Sequence, residues 1–420
     1  MTKNDIIKYV MDTPDNTNKY VLDSMLNELN NEGGSSTPSF IGQHIYGVKW
    51  TYAYTEDDEP VKYLPSAGVR TDEAADFSDP VPFVMGTSKD AKILSALSCG
   101  SPFDSLYPWN GMERYRDRLS GEFVSIPKFW YKWTKTDDYL QLQVATYAAE
   151  GFHVSPAHQP RGEETADRDI VYIGRYKCVE PYGLSNTNGQ PSTNVSRSEL
   201  RIAINDMQSQ VNISGYSIQD YAMFWTWRML YLVEFANWDG QAMIGDGTGS
   251  VNIDDDGGYL ISVTGLTDNM PYHTGTMRTS KDEEGQGVQY RWIEDPWGNV
   301  MEFIDGWRRD TSDNTFYVTT NLTNFSDSEG GTAVGNGENV SGKIVDWTVP
   351  DTDGYDWALI PITAEANVES VADDSGFYGP VLLCGGDFGG YNSYCGPFFL
   401  ASYGVLYAYG YLGARLQKIP

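Results

Sequence analysis

The stretch SIQDYAMFWTWRMLYLVEFANWDG, Ser217 to Gly240, constrains the fold more than any other part of the chain. It reads as the longest helix and is very apolar, so the rest of the chain has to bury it; it is expected to pack under a sheet. Its most apolar part, Tyr221 to Ala236, is too short to cross a bilayer and carries Arg228 and Glu234. A second helix is predicted at SRSELRIAINDMQ, Ser196 to Gln208, capped by Ser196 or Ser198, with Leu200, Ile202, Ala203 and Met207 as its apolar side. Around these helices the pattern is strands and turns. GEFVSIPKFWYKW (Gly121 to Trp133) alternates like a strand, DYLQLQVAT reads as its hairpin partner, and DIVYIGRYKC (Asp169 to Cys178) is a further strong strand. With 43 glycines available for tight turns, two helices on a strand-rich body predict the α+β class.

The chain of 420 residues is long enough for a large core plus accessory parts. Residues 1–30 read as a helical segment for oligomerisation or attachment. Ile6, Ile7, Val10 and Met11 make one short stripe, and Tyr20, Val21, Met25, Leu26 and Leu29 make another, each too short to bury its face alone. A linker is expected at 31–39, a β-rich region at 40–110, and the main domain at 111–420. The net charge of −29 argues against nucleic acid and against insertion at anionic membranes, both of which would repel such a surface. Cys99, Cys178, Cys384 and Cys395 form no CxxC and no zinc spacing, so reduced thiols in a cytoplasmically made protein are expected. The first residues show no signal-peptide apolar region.

Catalytic signatures are absent from the sequence. His44, His153, His158 and His273 have no two members at metal-binding spacing, and there is no nucleophile elbow or phosphate-binding loop. VNIDDDGGY (Val251 to Tyr259) opens like a calcium loop, with Asn252, Asp254, Asp256 and Gly257. Its twelfth position is Val263 rather than Glu, so a surface turn is the better reading. In RWIEDPWGNVMEFIDGW (Arg291 to Trp307), Glu302 and Asp305 sit among aromatics beside the Gly298-Asn299 turn. Two readings stand for Glu302: a carboxylate hydrogen-bonded to backbone, or a calcium ligand helped by turn carbonyls.

The C-terminal segment differs from everything before it. The 26 residues from Asp387 to Leu412 contain no Lys, Glu, Gln, Met or Trp. All the residue types present can be encoded with a pyrimidine third base, the set an Asn codon yields when its adenines are randomised. Tyr391, Tyr394, Tyr403, Tyr407, Tyr409 and Tyr411 are interspersed with Gly, Ala and Ser. That mixture suits a paratope, because Tyr gives large amphipathic contact at low entropic cost and small residues leave room.

At these residues the chain resembles the variable proteins diversified by a retroelement. Gly385, Gly386, Cys395 to Phe398 and Gly413 to Leu416 are similar to the fixed frame of that family's variable region, here 385–416. PWGNVMEFIDG resembles the signature of C-type lectin folds of the formylglycine-generating-enzyme type, with Met301 and Phe303 in place of the usual tryptophans, and TPDNTNKYVLDSMLNEL resembles the start of gut-phage tail-fibre proteins. The resemblance implies a C-type lectin fold at the C-terminus, and a receptor-binding protein at the tip of a tail fibre on the virion. It also implies a homotrimer and contacts with other tail proteins, and a ligand, protein or glycan, on the host bacterial surface. Its contact residues would be Asp387, Phe388, Tyr391, Asn392, Ser393, Tyr394, Phe399, Ser402, Tyr403, Leu406, Tyr407, Tyr409 and Tyr411. Calcium, held by Gly298, Val300 and Glu302, is the one cofactor it implies. Two alternatives remain: a formylglycine-generating-type oxidase using Cys384 and Cys395, and a structural tail component that binds nothing.

Overall fold

Every residue of the apolar helix is buried, and the fold is built around it. The computed structural model describes residues 42–85, 99–117, 121–179, 184–247, 261–278, 286–337, 341–364, 374–387 and 395–420. The expected N-terminal helix at 1–30 and linker at 31–39 lie outside them. The principal elements, in chain order, are strands β1 (Ile45–Thr51), β2 (Gly121–Pro127), β3 (Trp130–Lys135), β4 (Tyr139–Ala145) and β5 (Ile170–Lys177), then helices α1 (Arg197–Val211) and α2 (Tyr221–Phe235). Strands β6 (Met301–Arg309), β7 (Val381–Gly385), β8 (Gly396–Tyr403), β9 (Leu412–Gly413) and β10 (Arg415–Lys418) follow.

The architecture corrects the expected class. Among the described residues there are twenty-five strands and three α-helices, one of them only four residues long. The described residues are mainly β, and the α+β class with a C-type lectin fold is not what the structure shows. The sequence reading weighted two helices as a layer, whereas α2 is enclosed as core. Residues 43–420 form one compact unit. β1 pairs along its length with β4, so the 40–110 region is woven into a sheet with residues beyond 111.

Four sheets of four or more strands make up the body. The first runs His153–Val154, β3, β4, β1, Val69–Asp72; the second runs Tyr216–Ile218, β10, β5, β2, Arg114–Asp117. A four-stranded sheet contains Gly275–Arg278 and Ile293–Glu294. The largest, of nine strands, has β6, β7 and β8 as consecutive neighbours, with β9 alongside β6. The predicted strand from Gly121 to Trp133 is in fact two strands in different sheets. Pro127 ends β2, and β3 forms the hairpin with β4.

Local chemistry explains both long helices. α1 starts with a capping box in which Ser196 accepts from the Glu199 N–H and Glu199 reaches back to the Ser196 N–H. Its buried side is Arg197, Leu200, Ile204 and Gln208, at three- and four-residue spacing; Ile202 is 60% exposed and faces away, contrary to expectation. At the start of α2, Asp220 accepts from the Met223 N–H at 2.8 Å and from Arg161 at 2.6 Å. The two charges inside α2 are both satisfied. Arg291 donates to both oxygens of Glu234, at 2.6 and 2.7 Å, and Arg228 donates to the carbonyls of Phe224 and Pro397.

Around α2 lies an aromatic core. Trp225 meets Trp347 edge-on at 5.2 Å, Trp133 at 6.1 Å and Phe398 at 6.3 Å, and Trp238 meets Phe398 at 4.7 Å. Large rings here remove much apolar area from water and leave little room to relax around a deletion. Trp225→Ala is expected to destabilise the fold by about 3–5 kcal/mol. A guanidinium titration giving less than about 1 kcal/mol would show that the α2 core is not the main support.

Candidate binding surface

Strand β8 carries the middle of the segment with the restricted alphabet, and it is buried on both faces. Phe398 and Leu400 point into the core around α2, while Phe399 and Ala401 point into a second core with Met301, Phe303, Leu383 and Leu412. Phe399 and Ser402 were expected to face outward, and here the structure corrects the reading: both are buried. The continuous apolar run PFFLA is the mark of a strand covered on both sides, not of a surface strand. Ser402 instead accepts the Gly379 N–H on its hydroxyl at 3.2 Å and the Tyr378 N–H on its carbonyl at 2.9 Å.

The exposed part is the loop that follows β8. Leu406 is 83% exposed, Tyr407 40% and Tyr409 44%, and Val405 is also exposed. Tyr403 and Tyr411 flank them, partly buried against the second core. The four tyrosines form a ladder. Tyr403 and Tyr407 stack at 5.2 Å, Tyr409 and Tyr411 stack at 5.3 Å, and Tyr407 meets Tyr409 edge-on at 5.3 Å. Such contacts hold the rings in place before any ligand arrives, which lowers the entropy cost of binding. Asp387 was also expected to face outward and is buried; its charge acts on Tyr403 and Tyr411. Phe388, Tyr391, Asn392, Ser393 and Tyr394 lie outside the described residues.

Backbone atoms anchor this loop. The Asn194 N–H donates to the Tyr409 carbonyl at 3.0 Å, the Met301 N–H to the Tyr411 carbonyl at 2.9 Å, and the Leu412 N–H to the Tyr409 carbonyl at 3.0 Å. These bonds do not depend on which side chains the loop bears.

The three residues assigned to calcium perform a different task, each bearing on one part of the fixed frame. The Gly298 N–H donates to the Gly385 carbonyl at 2.8 Å. Val300 fills the space beside Gly413, where an added Cβ would come within 2.9 Å of its methyl. Glu302 is clamped by two buried cations: Lys177 donates at 2.7 Å, and Arg415 donates through Nη2 at 2.8 Å and Nε at 3.1 Å to the same oxygen. Burial by itself would raise the carboxyl pKa, but Arg415 and Lys177 outweigh it and hold the group down at about 2. Calcium does not fit here, because the carboxylate charge is already met by Lys177 and Arg415. No cluster of three His, Cys, Asp or Glu side chains suited to a metal occurs among the described residues. Most of the calcium-loop-like stretch from Val251 lies outside them; Val263 is exposed.

The frame itself is interior. Gly385 and Gly386 adopt φ of +85° and +70°, the left-handed region that favours glycine. Pro397 packs on Gly240, where an added Cβ would lie 2.6 Å from its ring. Cys384 and Cys395 are buried and unbridged, and burial pushes the Cys384 thiol up to about 11. His158 is also interior, held between Ser155 and the Ile126 carbonyl, with burial holding its pKa down at about 3. No helix among the described residues is long and apolar enough to cross a membrane.

The sequence reading missed two contributors. Lys177 comes from β5 and completes the Glu302 clamp; its only sequence signal was that it is one of two charges, with Arg175, in a largely apolar strand. Tyr378 is 72% exposed next to the end of β8, and nothing in its local sequence marks it. No family model matches the chain, and no curated protein matches it.

The clamp makes a pH prediction. Because the folded-state pKa of Glu302 is depressed from its ordinary 4.5 to about 2, its stabilisation is present above about pH 4.5 and is lost as pH falls toward 2. Glu302→Gln should flatten the stability profile in that window and cost about 3–5 kcal/mol at neutral pH, because two cations stay buried without their anion. Melting of the wild-type chain should be the same in EDTA as in millimolar calcium. A melting temperature that rises with calcium would restore the metal reading.

Proposed function

We propose that this chain is a receptor-binding protein of a phage tail fibre, without catalytic activity, whose tyrosine-rich loop contacts a ligand on the bacterial surface. One observation carries the reading. The exposed loop after β8 is written in the alphabet that adenine-randomised Asn codons produce, and its backbone is anchored by bonds indifferent to its side chains. A surface that has to accept many sequences needs both properties. Phe399 to Ser402 share the alphabet but belong to the core, and Asp387 is buried too, so the diversified contacts are narrowed to Phe388–Tyr394 and Tyr403–Tyr411.

Burial weighs against the oxidase alternative. An oxidase using Cys384 and Cys395 needs a reachable thiolate, and both sulfurs are interior, with Cys384 favouring the protonated form. A structural tail component that binds nothing would have no need of an exposed aromatic ladder. The virion location, the homotrimer and the partner tail proteins belong to the same proposal and are carried by the resemblance of the frame and the first residues.

Two measurements test it. Sequencing the locus in a clonal population should reveal a near-identical downstream repeat differing at adenines, and substitutions confined to the codons just named. A locus with neither repeat nor variation would favour the structural component. In parallel, the double variant Tyr407→Ala, Tyr409→Ala should lose binding to bacterial cells while costing about 1 kcal/mol or less in stability, because both rings are at the surface.

A further inference from the structure

We propose that Tyr378 is a constant contact of the same surface, set beside the varied tyrosines by the sheet, and that the surface takes a protein partner presenting lysine and arginine side chains. The proposal rests on the adhesin reading and narrows it.

Tyr378 precedes the Gly385-Gly386 frame, so it falls outside the segment expected to vary. Its position is fixed by the register. The strand Asp374–Phe377 runs parallel to β8, with Gly376 opposite Ala401 and Phe377 opposite Ser402, and the Tyr378 N–H donates to the Ser402 carbonyl. Two glycines complete the placement. The Tyr378 ring lies across Gly376, where an added Cβ would come within 2.6 Å of it. Gly379 packs directly on the Tyr403 backbone, where an added Cβ would lie 2.2 Å from the carbonyl. A large ring that is 72% exposed is therefore held at the edge of the tyrosine ladder mainly by backbone interactions, with the Ser402 hydroxyl accepting the Gly379 N–H. A ring built into the sheet supplies contact area whatever the varied loop carries.

Charge selects the kind of partner. The chain carries a net charge of −29, and Asp387 lies at the ladder. Burial first, and after it the charge of Asp387, raise the phenol pKa of Tyr403. Tyrosine faces attract cations, and Arg or Lys over such rings gains both stacking and charge. Phosphate-bearing surface glycans would be repelled by the same field.

The experiment uses the fluorescently labelled full chain, titrated onto a panel of intact gut bacterial isolates, and then onto the strain bound best. Tyr378→Ala should weaken binding about tenfold or more with unchanged melting, and Tyr378→Arg should weaken it further by repelling a basic partner. Proteinase treatment of the cells should abolish binding, and periodate oxidation should leave it intact. If Tyr378→Ala binds like wild type while the Tyr407/Tyr409 double variant does not, the constant contact is refuted and the adhesin reading survives. Binding that resists proteinase and is lost to periodate refutes the basic protein partner. If the wild-type chain binds no isolate, or if neither set of variants changes binding, the adhesin reading fails and this inference fails with it.

Discussion

Arg415 is the joint on which the rest depends. Its guanidinium donates to Glu302 on β6, to the carbonyls of Gly174 and Arg175 on β5, and to the carbonyls of Glu294 and Asp295. It therefore ties together the sheet it belongs to, the nine-stranded sheet and the four-stranded sheet. A planar, always-charged fork with five donors can satisfy that many acceptors from one buried position, and a lysine cannot. Lys177 brings the second positive charge to Glu302, so the site is an ion triad rather than a pair. Such a triad contributes less to net stability than its distances suggest, because all three groups are desolvated. Its larger effect is on geometry: only one arrangement of the three sheets satisfies every donor and acceptor.

That geometry positions the exposed loop. β8 enters it from the middle of the largest sheet, and β9 and β10 leave it beside β6 and β5. Both ends of the loop are thus held by elements buried on all sides. The turn once assigned to calcium is the socket for the returning chain, since Gly298, Val300 and Glu302 meet Gly385, Gly413 and Arg415 in turn. Conformational cost falls on the scaffold, which is fixed, and little falls on the loop, whose rings are already packed against one another.

Much of this was legible in the sequence where the information is local. The very apolar helix, a cap at Ser196 or Ser198 and a strand within Asp169 to Cys178 are written in short windows; the structure has the helix, puts the cap at Ser196 and has the strand at Ile170–Lys177. The frame residues were marked by the resemblance alone, and the structure buries all of them. What failed was non-local. A calcium-ligand reading stood open for Glu302 beside the hydrogen-bonded one because its neutralising partners are 125 and 113 positions away. Phe399 and Ser402 were expected outward because the resemblance counts them in the variable region, while β8 is buried on both faces. Ile202 was placed on the buried side of α1 by composition, when the side that packs is set by Leu200 and Ile204. The class was misjudged for a related reason: two helices were counted as a layer before it was known that one of them is the core.

The restricted alphabet meets two opposite fates within a few residues, and this bears on how the surface can vary. Phe, Leu and Ala in β8 are enclosed, while Val405, Leu406, Tyr407 and Tyr409 in the next turn are exposed. An Asn-codon origin yields no Lys, Glu, Gln or Met, the side chains whose long flexible stems lose most entropy when immobilised. Tyr, with two side-chain torsions, loses little and buries much. A loop rich in Tyr, Gly, Ala and Ser therefore has a low ordering cost. The set allows Asp as its acid and Arg as its base, so variation can move charge as well as shape. The bias common to many variants is the net charge of −29, carried almost wholly outside the varied segment. Specificity among ligands would come from ring placement, and the class of ligand from the field that the fixed scaffold supplies.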